Sequence, residues 1–236
     1  MRPQRGARCR LRYHDSMRIA HLHLLGFLTI CTLLPAATPE TLIENPQVRV
    51  VRAVDLPHSP GQLHKHERNR VMIYLQAGSE TITSADGKKQ NLTWKAGEAR
   101  WSPAGGMHTS EITSDAPVTI IEVELKKEGN PSKQAGGPLD PVKLDPQTYK
   151  VEFENSQVRV LRVKMAPQHH VPMHEHALDR VVVYLTDQNS SMTAPDGKTD
   201  VAKHKAGEVS WGLPTRHQEV NLNDKPMEVV VAELKY

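Results

Sequence analysis

Leu63-His64-Lys65-His66 returns 110 residues later as Met173-His174-Glu175-His176. The same offset carries Gln47-Val48-Arg49-Val50 to Gln157-Val158-Arg159-Val160. It carries Arg70-Val71 to Arg180-Val181 and Tyr74-Leu75 to Tyr184-Leu185. Lys95-Ala96-Gly97-Glu98 maps to Lys205-Ala206-Gly207-Glu208, and Trp101 to Trp211. One residue is then missing from the second copy, so His108 maps to His217 and Glu124-Leu125-Lys126 to Glu233-Leu234-Lys235. A period this long is not a solenoid repeat, which runs at roughly 20–50 residues. It is a duplicated domain, and each copy is large enough to bury a core.

Within each copy the pattern is that of short strands. Residues 47–54 alternate, 71–75 form a compact apolar run, and 80–83 alternate again. Asp86-Gly87 and Asp196-Gly197 are hairpin signals. No apolar helical stripe of ten or more residues follows the leader. Many short strands separated by turns predict an all-β fold, two tandem sandwich or barrel units. The expected division is 1–37 as leader, 38–128 as the first barrel, 129–148 as a Gly/Pro/Lys-rich linker, and 149–236 as the second barrel.

The chain has 236 residues and a net charge of +3, but the charge is unevenly spread. The first 37 residues hold six arginines and one acid, Asp15; without them 24 basic side chains face 26 acidic ones, a net of −2. No basic stripe remains to recruit nucleic acid. Met17-Arg18, the apolar run Ile19–Leu34 and the small residues Pro35-Ala36-Ala37 read as a secretory signal cleaved near Ala37. On that reading Met17 is the start, the product is secreted or periplasmic, and no membrane attachment survives cleavage. Lipid attachment at Cys31 is the weaker alternative, because bulky Ile30 precedes it. Cys9 and Cys31 are the two cysteines and both lie in the leader. A mature chain therefore has neither disulfide nor thiolate, and any metal must sit on nitrogen and oxygen.

Residues i and i+2 of a strand share a face. His64 and His66 can thus aim two imidazoles at one point, as can His174 and His176. A third nitrogen from His108 or His217 would come from another strand. Three imidazoles with open positions suit a divalent transition metal such as Fe, Mn, Zn, Ni or Cu. A merely polar strand face is the bland reading of one such pair; duplication with a third histidine at matched distance argues against it.

These residues resemble the cupin family in its two-domain, bicupin form. The family's second motif, G-x5-P-x-G-x2-H-x3-N, is met by Gly97, Pro103, Gly105 and His108, with Ile112 replacing the asparagine. In the second copy Gly207 and His217 remain, and the loop proline is Pro214. The first motif, G-x5-H-x-H-x3,4-E-x6-G, is met only in its His-x-His core. His58 stands at the leading glycine, and Arg70 and Arg180, or Val71 and Val181, stand where the ligand glutamate belongs. The resemblance implies double-stranded β-helix (jelly-roll) barrels. It also implies a metal site that here has three histidines and no carboxylate.

Arg70 and Arg180 have two readings. Facing inward, each is a guanidinium fork for an anionic small-molecule substrate. Facing outward, each is a surface residue paired with Glu67 or Asp179, and this is the reading the sequence favours. Glu111 and Glu219 are expected on a solvated face and Tyr74 and Tyr184 in the core. Trp101 and Trp211 are expected to pack at the barrel mouth, in the loops leading to the third histidine. Gly105 and Gly106, which the second copy lacks, favour the first barrel as the tighter metal site. The expected function is metal-dependent oxygenase, decarboxylase or isomerase chemistry on a small molecule. A non-catalytic small-ligand-binding cupin with degenerate metal sites is the alternative. Oligomeric state is not legible.

Overall fold

A computed structural model describes residues 38–236; the leader, and with it the signal-peptide expectation, lies outside them. The first copy contains β1 (Glu40–Glu44), β2 (Val48–Asp55), β3 (His64–His66), β4 (Arg70–Tyr74), β5 (Gly78–Ser84), β6 (Lys89–Trp94), β7 (Ala99–Ser102), β8 (Gly105–Ile112) and β9 (Val118–Leu125). After the short helix α1 (Pro141–Leu144), the second copy contains β10 (Tyr149–Glu154), β11 (Val158–Met165), β12 (His170–His176), β13 (Arg180–Tyr184), β14 (Gln188–Thr193), β15 (Thr199–His204), β16 (Val209–Gly212), β17 (Thr215–Asn221) and β18 (Met227–Leu234).

Each copy folds into two antiparallel sheets. The first has strand orders β1-β2-β9-β4-β7 and β3-β8-β5-β6; the second repeats them as β10-β11-β18-β13-β16 and β12-β17-β14-β15. Both are jelly-roll barrels, so the all-β tandem architecture stands.

The two five-stranded sheets share one apolar core. Val71, Ile73, Ile121 and Val123 from the first copy join Val181, Val183, Val230 and Ala232 from the second. Alternate residues of the same strands, Met72, Tyr74 and Ile120, pack into a separate cluster inside the first barrel. That is why residues 71–75 read as a continuous apolar run: a strand buried on both faces has no polar alternation. Trp101 and Trp211 lie on β7 and β16, not in loops, and pack against this shared core. Their strand partners Val71 and Val181 explain the difference, because cross-strand pairing puts them on the inter-barrel face.

The barrels meet through matched contacts. Gln47 bonds Asp179 and Asn69 bonds Gln157, the same pair with the copies exchanged. Arg52 donates to the Gly207 carbonyl, and its counterpart Arg162 donates to that of Gly97. Such reciprocity is the signature of an isologous, two-fold interface.

The stretch 129–148 is in part built into the second barrel. Asp140 is buried, caps α1 by accepting from Val142 N–H, and pairs with buried Arg159. The Leu139 carbonyl accepts from the Glu175 N–H, one residue from both paired histidines.

Candidate metal centres

Two groups of side chains among the described residues could hold a metal ion: His64, His66 and His108, and His174, His176 and His217. Their ligand atoms lie within 4.8 Å of one another in each group, and no carboxylate joins either. Strand register does the aiming. His64 stands opposite His108 across β3 and β8, and His174 opposite His217 across β12 and β17. Ring centroids are 4.6 Å apart in the first pair and 4.4 Å in the second. The second barrel thus aims its third histidine without any glycine between Pro214 and His217. Aiming the third histidine therefore does not require the glycines Gly105 and Gly106.

The residue ahead of each His-x-His pair carries a trace of the family motif. His58 has φ 53° and Gln168, its counterpart, φ 56°, the only non-glycine residues in the left-handed region among those described. The motif's glycine would take this conformation without strain; here larger side chains adopt it twice.

Second contacts separate the two centres. In the first, the His64 and His108 Nδ1–H groups donate to the Gln62 and Gly106 carbonyls, leaving each Nε2 free. The His64 and His66 Nε2 atoms are 3.1 Å apart, as two ligands ~2.1 Å from one metal would be. But Arg70 Nη1 lies 3.0 Å from that His66 Nε2, where it takes the lone pair a metal needs. Arg70 is also held by the Glu122 carboxylate at 2.6 Å and Ser102 Oγ at 2.9 Å. Burial, with the Arg70 charge next, pushes His66 down to about 3.

The second centre is buried where the first is half-exposed: His174 is 0%, His176 5% and His217 6% exposed. His174 Nδ1–H donates to the Pro172 carbonyl. His176 Nδ1–H donates to Glu233 Oε1 at 3.0 Å, and Glu233 is clamped by Arg159, itself held by Asp140. Carboxylate–histidine pairs of this kind fix the tautomer and present Nε2 to a metal. Arg180 Nη1 instead donates to the Leu213 carbonyl at 2.6 Å. Burial holds His174 down at about 4 and His217 at about 2, with His176 also lowered. Neutral imidazoles are the form that binds metal. The His217 Nδ1 atom is buried without a partner, the one unmatched polar atom of the set.

A cavity of about 200 Å³ opens onto this centre, lined on its polar side by Tyr149, His176, Arg180, His217 and Glu219. The Tyr149 hydroxyl stands 3.4 Å from His174 Nε2. Burial raises the Glu219 carboxyl above its ordinary range, so the solvated face expected for it is wrong: β17 alternation puts it on the same side as His217. Glu111 is half-buried on β8 and joins neither centre. Tyr74 is a core residue stacked on Trp94, whereas Tyr184 stacks on His204 at the cavity wall. Arg70 and Arg180, 5% and 8% exposed, both face inward, against the outward reading. They share a strand face with Met72 and Val182, not with the inter-barrel valines. His169 pairs with Asp145 and supplies no ligand.

No protein-family model matches this sequence, and no curated protein does. Solved structures do. The AerE protein of Microcystis aeruginosa superposes over 84% of this chain and 97% of its own, with TM-score 0.58 and 12% identity. A single-substitution variant of the Bacillus subtilis oxalate decarboxylase superposes over 83% of this chain and 71% of its own, with TM-score 0.57 and 14% identity. A cupin domain from Bordetella pertussis matches 37% of this chain and 92% of its own at 24% identity, with TM-score 0.36. Two jelly-roll barrels in tandem, each with a three-histidine cluster, define the fold as that of a two-domain cupin.

Proposed function

We propose that this chain is an exported metal-binding cupin whose working centre lies in the second barrel, on His174, His176 and His217. A divalent transition metal held there would supply Lewis-acid or redox chemistry to a small molecule in the adjoining cavity. The observation that carries this reading is the contrast at the second histidine of each pair. His176 is oriented by Glu233, while His66 is blocked by Arg70. Tyr149 and Glu219 supply hydroxyl and carboxyl groups within the cavity, where they can orient a substrate or hold a proton.

The first barrel fits the non-catalytic alternative: its cluster is half-exposed and its arginine sits on a ligand nitrogen. Anomalous diffraction from crystals soaked in a divalent metal tests the assignment. The expected result is a strong peak among His174, His176 and His217. A peak confined to His64, His66 and His108 would overturn it. Export is proposed on the leader's composition, and N-terminal sequencing of secreted protein is expected to begin near Thr38; retained Ile19–Leu34 would refute it.

A further inference from the structure

Duplication supplies an internal control for each interior residue. Arg70 is held by Glu122 and Ser102. The residues at those positions in the second barrel are Val231 and Gly212, as strand register verifies: Met72 faces Glu122 and Arg70 faces Ser102, while Val182 faces Val231 and Arg180 faces Gly212. Arg180 has therefore lost both side-chain partners of its counterpart. It has not turned out to solvent: it stays 8% exposed, lines the cavity, and no carboxylate among the described residues lies within 4.0 Å of it. Its side chain packs against Gly212, where an added Cβ would fall 2.9 Å from Cζ.

The rest of the interior changes the same way. Asp55 and Glu80 of the first barrel, which sense Glu122 electrostatically, become Met165 and Ser190 in the second. Three carboxylates have been exchanged for a methionine, a serine and a valine. One acid, Glu219, is gained at the cavity wall, and it makes no ion pair with Arg180. Arg180 keeps the neutral Leu213 carbonyl as an acceptor, but a buried cation without a counter-charge is costly, and an anionic ligand would complete it. One side of the remaining wall is apolar, formed by Val163, Met165, Val182, Met227 and Val229, and faces polar Gln188, Ser190, His204 and Ser210.

We infer that the second barrel takes a small monocarboxylate with a compact apolar body, its carboxylate on Arg180 and its body against the methionine–valine wall. The inference rests on the second barrel's being the working one. The volume fits such a ligand: an apolar cavity of ~150 Å³ accepts benzene, and about 200 Å³ holds a benzoate-sized acid. In the metal-free protein a dianion as small and polar as oxalate would leave that wall uncovered and its second charge unpaired.

Calorimetric titration of benzoate and of oxalate, on metal-free and zinc-loaded full-length mature protein, tests this. Benzoate is expected to bind more tightly than oxalate in the metal-free state. Arg180→Met is expected to weaken benzoate about tenfold or more, the loss of a charge-assisted contact, with zinc content unchanged. Val231→Glu, which restores the partner seen in the first barrel, is expected to weaken it similarly. Equal benzoate binding by either variant with a wild-type melting profile, or preference of the metal-free protein for oxalate, would overturn the inference. Zinc content is scored in the same samples: protein that binds benzoate through Arg180 but takes no zinc supports this inference and refutes the metal proposal.

Discussion

His66 and His176 occupy one place in two copies of the same unit, and a single neighbour makes them different. Glu233 orients His176 at 3.0 Å; Arg70 sits on the His66 lone pair at 3.0 Å. Desolvation holds these imidazoles neutral, with His174 at about 4, His66 at about 3 and His217 at about 2 against an ordinary 6.5. The unfolded chain takes up protons near 6.5 that the folded chain refuses, so acid favours unfolding. The stability these groups leave intact above pH ~6.5 is expected to fall as pH drops toward ~4. Glu80 works the other way: burial pushes it up to about 7, so its contribution is lost as pH rises from about 4.5 through 7. Slopes must therefore be compared between variants. With metal chelated, the thermal midpoint of His217→Asn is expected to fall less steeply between pH 7 and 4 than that of the wild type. Parallel slopes would contradict the burial of a neutral His217.

At the scale of elements, β11, β12, β18 and the cap of α1 form a relay behind the second centre: Asp140 holds Arg159, Arg159 holds Glu233, and Glu233 holds His176. Removing Asp140 leaves Arg159 buried with one carboxylate instead of two. Asp140→Ala is expected to cost about 1–3 kcal/mol by chemical denaturation and to weaken metal binding at the second centre; an unchanged transition midpoint would contradict the relay. Sequence reached the strands that carry the histidines, because His-x-His fixes a shared face and the duplication fixes the third partner. It did not reach the facing of Arg70 and Arg180. That needed knowledge that β4 and β13 are buried on both sides, by the barrel interior and by the other barrel. Tyr149 and Asp140 were invisible for a different reason: neither has a functional counterpart at the 110-residue offset, and Asp140 lies in a stretch whose Gly/Pro composition reads as linker.

The whole molecule behaves as a dimer joined into one chain. Gln47–Asp179 and Asn69–Gln157 repeat one contact across an approximate two-fold axis, and a continuous valine core runs between the five-stranded sheets. With the interface alike in both copies, the interiors have diverged: one holds Arg70 paired with Glu122, the other opens into a cavity beside three buried histidines. That division of labour is the central claim. Its most direct test is metal stoichiometry by elemental analysis of the mature protein and of His108→Ala and His217→Ala. The expected result is about one ion per chain in the wild type and in His108→Ala, and loss of that ion in His217→Ala. Retention of metal by His217→Ala together with its loss from His108→Ala would contradict the account.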